Sequence, residues 1–265
     1  MEQLPSLPSL HKKLLQELAS PDVSVRQLGD IVSQDIGMST KVLQLVNSAF
    51  FGMQRHIESP SHAVVVLGVE IIKALATTAC VFSQFEPQIL NACSLHPLWK
   101  HSIETGMMAK QIAGVEGMPK GMTDHALIAG FLHDVGKLAL ASMMPDEYGP
   151  VRARAADPDV LLTDLEREAI GATHSEVGAY LLGLWGFPAI VMEAVAFHHN
   201  PDDAYGTEFS PLIAVHVANF LSRRDGPSGR TDALDAEFLR KCGMLDRLPV
   251  WQQACQEPVL AGVES

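Results

Sequence analysis

Apolar residues recur at intervals of three and four along most of the chain, which is the spacing of one face of an α-helix. Only "AVVVLGV", residues 63–69, is rich enough in β-branched residues to suggest a strand, and both of its flanks have helical spacing. Strand signals are otherwise scarce. The pattern therefore predicts an all-α protein.

Several helix starts carry capping signals. Two are capping boxes, in which a serine or threonine is followed three residues later by glutamine or glutamate, and two place a serine before a first-turn proline. The pairs are Ser24 with Gln27, Thr173 with Glu176, Ser59 with Pro60, and Ser210 with Pro211. With the apolar spacing they predict helices over 24–34, 39–50, 60–68, 69–82, 97–113, 123–133, 173–186, 188–199 and 210–223, one or two within 157–171, and one or two weaker helices in the last 30 residues.

The helices change in character along the chain. The first 90 or so residues predict four or five short helices with tight connections, whereas the helices after His96 are longer and carry histidines. "RRDGPSGRTD", residues 223–232, is a turn-rich loop, and the tail that follows it is expected to fray at its end. We therefore expect two helical parts and a tail.

Composition places the chain among folded globular proteins, since 47% of its 265 residues are hydrophobic and 19% are charged. The net charge of −12 lies almost wholly in residues 101–265, which hold 12 Lys+Arg against 23 Asp+Glu. This charge disfavours nucleic acid and anionic membranes as partners. It suits a protein-interaction surface or a cation site better.

Two further features indicate a cytoplasmic protein without a membrane span. The cysteines form no C-x-x-C pair and follow no signal peptide, so reduced thiols are expected. They are Cys80, Cys93, Cys242 and Cys255. The most apolar segment, residues 63–82, is interrupted by Glu70 and Lys73, which favours a buried helix pair.

Candidate chemistry is concentrated in "GFLHDVGKLAL", residues 130–140, where His133 and Asp134 are adjacent in an apolar segment. Burying both without partners would be costly, so a metal ion, a hydrogen-bond network or a partner elsewhere in the chain must compensate. Five of the 11 histidines lie at the ends or on the inner stripes of the longer helices. They are His101, His133, His174, His198 and His199.

These five histidines and Asp134 are expected to converge inside one helical bundle. A single histidine on an apolar stripe is usually only a core residue. The adjacent pairs His133-Asp134 and His198-His199, on separate helices, are harder to explain in that way. Imidazole and carboxylate together suit zinc, iron, manganese or nickel.

The order of these residues resembles the HD phosphohydrolase superfamily, whose helical core binds one or two metals and hydrolyses phosphate esters. The resemblance lies in "FLHDVGKL", "THSEVGAYLLGLWGFP" and "AVAFHHN". It implies a metal-ligand set of His101, His133, Asp134, His174, His198 and His199. Lys137, the lysine of the motif, would contact a phosphate or cap its own helix, and we favour the cap.

The whole chain resembles one branch more closely, the HDOD (HD-related output) domain of bacterial signalling proteins. The resemblance lies in "LPSLPSLHKKLLQEL", "LQLVNSAFFGMQRHIESPSHAVVVLG" and "LWKHSIETGMMA". It implies an HD-like helical bundle with an N-terminal helical subdomain. The expected parts are an HDOD domain over 4–222, divided into 4–92 and 93–222, and a tail over 223–265.

The sequence departs from active HD hydrolases at two places. Where those enzymes carry a final ligand aspartate, "PLIAVHVANFLSRRD" has Asn219, and a neutral amide is a poorer ligand for a divalent ion. The GYP signature of cyclic di-GMP phosphodiesterases is missing from "HHNPDDAYGTEF". We interpret Asp202 and Asp203 in that stretch as a solvated turn.

Two functions remain open. One is a catalytically inactive output or scaffold domain that binds signalling proteins, with a divalent transition metal (Fe, Mn, Zn or Ni) or none. A receiver domain preceding it, or a sensor-kinase pathway, would make it the output half of a response regulator. The alternative is an active metal-dependent phosphohydrolase on a nucleotide or cyclic dinucleotide. A helix-turn-helix over residues 25–48 is disfavoured, because Lys41 is the only base of its second helix.

Overall fold

Helices make up the regular secondary structure of the described residues, and the all-α prediction is confirmed. The computed structural model describes residues 24–47, 51, 53, 56–86, 89, 95–157, 159–223 and 233–256. The predicted opening segment "LPSLPSLHKKLLQEL", the end of the helix predicted at 39–50, Cys93, most of the 223–232 loop and the end of the tail lie outside them.

The chain divides into two compact units, and the first of them includes residues 24–84. Its helices are α1 (Val25–Ser33), α2 (Ile36–Val46), α3 (Pro60–Leu67) and α4 (Val69–Phe82). The capping box at Ser24 and the Ser59 cap are both present. The predicted start of α2 at residue 39 is wrong, because Asp35 accepts a hydrogen bond from the Met38 amide and begins the helix earlier.

The core of this unit is the apolar segment of residues 63–82, which includes the stretch 63–69 that suggested a strand. It forms the helix pair α3 and α4, separated at Gly68, whose φ of +84° ends the first helix. From Ile71 to Phe82 every residue of α4 is buried. Helix α2 buries Met38, Val42, Leu45 and Val46, which supports core packing over a DNA-recognition role.

The second unit spans residues 85–256. Its α-helices are α5 (Leu95–Val115), α6 (Lys120–Leu132), α7 (Val135–Met143), α8 (Pro145–Arg154), α9 (Leu162–Ile170), α10 (His174–Leu184), α11 (Ala189–Phe197), α12 (Pro211–Ser222), α13 (Ala236–Lys241) and α14 (Leu248–Gln256). Helix α5 packs against α6, α12 and α14, and α10 packs against α7 and α11. This arrangement surrounds the ends of α6 and α11 with other helices.

Three details of this unit differ from the sequence prediction. Helix α5 begins before Pro97, at Leu95. Thr123 does not cap α6, which begins at Lys120; its hydroxyl donates to the Lys120 carbonyl inside the first turn. Helix α8 was not predicted, because prolines at 145 and 150 interrupt its pattern.

The described part of the tail docks on the same unit. Helix α14 packs against α5, and Trp251 is fully buried between them. Its indole Nε1 donates to Glu116 Oε1 at 2.7 Å, and the Arg247 guanidinium pairs with the same oxygen at 2.8 Å. Residues 248–256 therefore belong structurally to the bundle rather than to a separate segment.

Among the described residues, one segment is long and apolar enough to span a membrane, namely Lys120–Met143, which joins α6 and α7 and has a mean hydropathy of 1.3. Of its most apolar window, 78% is buried inside the protein, as in the core helix of a soluble protein. Cys80, Cys242 and Cys255 are free thiols, as expected.

Candidate metal centre

The candidate ligands lie at helix junctions of the second unit. His133 directly follows α6 and Asp134 directly precedes α7, so the break between these two helices places both side chains in the core. His174 is the first residue of α10, and His198 follows the last residue of α11. With His101 in α5 and His199, the structure brings all six predicted residues together.

The six residues form two groups of candidate ligands that share Asp134. The first group is His101, His133 and Asp134, in which His133 Nε2 lies 3.1 Å from His101 Nε2 and 3.5 Å from Asp134 Oδ2. The distance from His101 Nε2 to the same carboxylate oxygen is 3.9 Å. Spacings of this size are those between ligand atoms around one ion.

The second group uses the other oxygen of Asp134. His174 Nε2 lies 3.3 Å from Asp134 Oδ1 and 3.0 Å from His199 Nε2, and His198 Nε2 lies 4.0 Å from Asp134 Oδ1. Three imidazole nitrogens and one carboxylate oxygen are a ligand set for a divalent transition metal. Asp134 is therefore placed to contribute one oxygen to each group.

Backbone carbonyls orient two of these rings. His133 Nδ1 lies 2.7 Å from Gly130 O and His198 Nδ1 lies 2.8 Å from Val195 O, so each ring carries its proton on Nδ1. The Nε2 lone pairs then point inward, toward Asp134. Metal-binding histidines are characteristically held by such a bond from the outer nitrogen.

Glu166 of α9 orients His174 in the same way, and sequence reasoning missed it. Its Oε2 lies 2.7 Å from His174 Nδ1 and accepts a further bond from the His174 amide at 2.8 Å. Tyr148 donates its hydroxyl hydrogen to the other oxygen at 2.9 Å. Nothing in "TDLEREAIG" distinguishes the buried Glu166 from Asp164 and Glu168, the acidic residues of the same helix that are exposed.

Burial favours the neutral form of three of the rings, since it lowers the pKa of His133 to about 4 and holds those of His101 and His198 well below the usual range. At His174 the charge of Glu166 outweighs burial, and the pKa is raised. For Asp134, burial opposes ionisation, but the positive charge of Lys137 and a hydrogen bond with His174 hold its pKa well below the usual range. Neutral imidazoles around an ionised carboxylate are the protonation states that a metal ion requires.

A divalent metal fits these residues better than a self-contained hydrogen-bond network. His198 is fully buried, and its Nε2 has no hydrogen-bond partner among the described residues. A buried lone pair aimed at a carboxylate is costly without a partner, and a cation would satisfy both. The donor set does not distinguish zinc, iron, manganese and nickel.

The structure contradicts the role favoured for Lys137 and agrees with the exposed position expected of Asp202. The prediction that Lys137 caps its own helix is wrong: Nζ donates to Asp134 Oδ2 at 2.7 Å, because residues three apart share a helix face. Asp202 pairs with Lys241 and is about half exposed, so it is not among the candidate ligands.

Four further residues lie on helix α12 or directly after it. Asn219 is buried and lines a cavity of about 260 Å³ together with His198, His199, His216 and Asp235. His216 connects the His198 carbonyl to the Asp235 amide with bonds of 2.8 and 2.9 Å. Ser222 and Arg223 contact His101 and were also missed.

Comparison of the sequence with known protein families identifies the family of this chain. The family model of the HDOD domain matches residues 4–201, about three quarters of the chain. The chain belongs to the HDOD family. The match confirms the resemblance to the HDOD branch that the sequence predicted.

Two curated proteins are similar to this chain in sequence. An uncharacterized protein of Treponema pallidum is 29% identical over 231 residues, 84% of this chain and 43% of that protein. Ribonuclease Y of Thermus thermophilus is 30% identical over 149 residues, 56% of this chain and 20% of that protein. The HDOD chain thus spans less than half the length of these relatives.

Two solved structures share the fold. An HDOD domain protein of unknown function from Geobacter sulfurreducens has a TM-score of 0.70 at 23% identity, covering 100% of this chain and 86% of its own. A candidate phosphohydrolase from Shewanella amazonensis has a TM-score of 0.68 at 23% identity, covering 97% and 95%. Both support the all-α HDOD fold.

Glu166→Gln is expected to weaken metal binding about 10–100-fold, the usual cost of losing an outer partner of a ligand histidine. The amide keeps the size of the side chain but removes the charge that fixes the His174 tautomer. Titration of metal-free protein with Zn²⁺ against a competing chelator measures the affinity. Glu168→Gln is the matched control, since Glu168 lies on the same helix and is 69% exposed. Equal affinities of the two variants would contradict the role of Glu166.

Proposed function

We propose that this HDOD domain is an output module of a bacterial signalling pathway, which binds a partner protein and does not turn over phosphate esters. The observation that carries the proposal is Asn219. It is 1% exposed and lines the cavity beside His198 and His199, at the position where hydrolases of the superfamily carry a ligand carboxylate. A neutral amide there lowers the negative charge available to hold and activate a second ion.

The partner is proposed to be a signalling protein, such as a receiver domain or a member of a sensor-kinase pathway, in the cytoplasm. The excess of acidic residues after residue 100 supports a protein or cation partner over a polyanion. In this function the metal centre is structural, because an ion held by Asp134, His174, His198 and His199 would tie α7, α10 and the end of α11 together.

A second candidate is a metal-dependent phosphohydrolase acting on a nucleotide or cyclic dinucleotide. The observation in its favour is that His174, His198, His199 and Asp134 are together and that His198 and His199 open into the cavity. A bound ion would supply a Lewis acid at the cavity wall. The similarity to Ribonuclease Y adds phosphodiesters of RNA to the substrates to be tested.

Turnover assays separate the two functions. The metal-loaded protein is incubated with bis-p-nitrophenyl phosphate, cyclic di-GMP and a short single-stranded RNA in the presence of Mn²⁺. The output function predicts no hydrolysis above that of an Asp134→Asn variant. Hydrolysis by the unmodified protein that this variant lacks would establish the phosphohydrolase instead.

Binding measurements test the interaction itself. Immobilised HDOD domain is titrated with purified receiver domains of the same organism, with and without phosphorylation. Saturable binding to at least one of them is expected. Absence of binding to every receiver domain would contradict this class of partner.

A further inference from the structure

One of the two ligand groups already contains a fixed positive charge. The guanidinium of Arg223 donates to His101 Nε2 from Nη2 at 3.1 Å and from Nε at 3.3 Å. The same Nη2 lies 3.5 Å from Asp134 Oδ2, and the Arg223 side chain is 21% exposed. Arg223 therefore contacts two of the three candidate ligands of the first group.

The hydrogen bonds around His101 agree with this role. Ser222 Oγ donates to the Asn219 carbonyl at 3.0 Å and lies 3.2 Å from His101 Nδ1, which leaves it to accept the ring proton. His101 Nε2 then carries the lone pair that accepts from Arg223. The nitrogen that would hold a metal is therefore engaged by a cation of the chain itself.

His133 adds a second reason for a cation at this place. Its Nδ1 donates to Gly130 O, so its Nε2 lone pair faces that of His101 at a distance of 3.1 Å. Two opposed lone pairs repel unless a positive group lies beside them. The Arg223 guanidinium supplies that charge.

The two oxygens of Asp134 face different groups. Oδ2 receives Lys137 Nζ at 2.7 Å and faces Arg223 at 3.5 Å, whereas Oδ1 faces the rings of His174 and His198. A divalent ion bound at Oδ2 would lie beside two fixed cations, which repel it. Asn219, one helical turn before Arg223, supplies no compensating negative charge.

We propose that Arg223 replaces the metal ion in the His101–His133–Asp134 group, so that the protein binds a single ion, between Asp134, His174, His198 and His199. The inference concerns ion number and position and holds whether or not the domain hydrolyses a phosphate ester. It also assigns Asn219 and Arg223 a joint effect, because a neutral amide in place of a carboxylate and a guanidinium beside Asp134 both disfavour the same ion.

Metal counting tests the proposal. Metal-free protein is loaded with excess Mn²⁺ or Zn²⁺ and desalted, and bound metal is measured by elemental analysis. We expect one ion per chain for the unmodified protein, for Asn219→Asp, in which Arg223 pairs with the new carboxylate, and for the exposed-arginine control Arg154→Met. Arg223→Met combined with Asn219→Asp is expected to bind two.

A measurement on the unmodified protein makes the test independent of whether the variants fold. In a crystal loaded with Mn²⁺ or Zn²⁺, a single anomalous difference peak is expected beside Asp134 Oδ1. A peak beside His101, two ions per chain, or none would overturn the proposal. A folded double variant that binds only one ion would overturn the role assigned to Arg223 and Asn219.

Discussion

Gly136→Ala is expected to lower the free energy of unfolding by about 1–3 kcal/mol or more, the range of overpacked cores. A Cβ atom on Gly136 would lie 1.8 Å from His174 O and 2.8 Å from Gly178 N. Both contacts are backbone atoms of α10, so no side-chain rotation relieves them. Helices α7 and α10 would have to separate.

The same substitution is expected to weaken metal binding. Asp134 directly precedes α7 and His174 begins α10, so separating these helices lengthens the 3.3 Å distance between Asp134 Oδ1 and His174 Nε2. Denaturant unfolding of the metal-free protein measures stability, and a chelator competition with Zn²⁺ measures affinity. Both values are expected to fall.

Gly114→Ala is the matched control. Gly114 lies at an exposed position of α5, and a Cβ there would have no atom within 4 Å. Alanine in an open helical position stabilises by about 0.5–1 kcal/mol relative to glycine. Equal behaviour of the two variants would show that the contact between α7 and α10 is not tight at Gly136.

Local signals account for the parts of the fold that the sequence predicted well. The capping boxes at Ser24 and Thr173 and the Ser59-Pro60 start are satisfied within a few residues, so they do not depend on the rest of the molecule. Helix α4 follows in the same way from its apolar run and Gly68. The histidines could be grouped because each lies at a helix end or on an inner stripe.

The parts that sequence reasoning missed or assigned wrongly depend on how the helices pack and on which side chains that packing buries. Glu166 looks like any acidic residue of an amphipathic helix until α9 brings it to His174. Lys137 was assigned to its own helix end, but the buried carboxylate of Asp134 is a stronger partner. Arg223 and His101 are separated by 122 residues, and no periodicity relates them.

Asp134→Asn is expected to abolish specific metal binding, an effect beyond the roughly 10–100-fold loss typical of outer partners. Asp134 is the only residue common to both ligand groups, so the change removes an anionic oxygen from each of them. Elemental analysis after loading should find no bound ion. Added Zn²⁺ should no longer raise the unfolding temperature, because stabilisation by a ligand requires binding to the folded state.

Stability of the metal-free variant distinguishes a metal centre from a hydrogen-bonded core. The Asp134→Asn change would leave Lys137 and Arg223 without their shared carboxylate, so a loss of about 3 kcal/mol is expected, the lower end of the range for breaking a buried ion pair. A purely structural network predicts this loss but no difference in bound metal between variant and unmodified protein. Asp164→Asn, at an exposed position of α9, controls for the loss of one negative charge. If both aspartate variants bind metal as the unmodified protein does, the six residues are a buried network and not a metal centre.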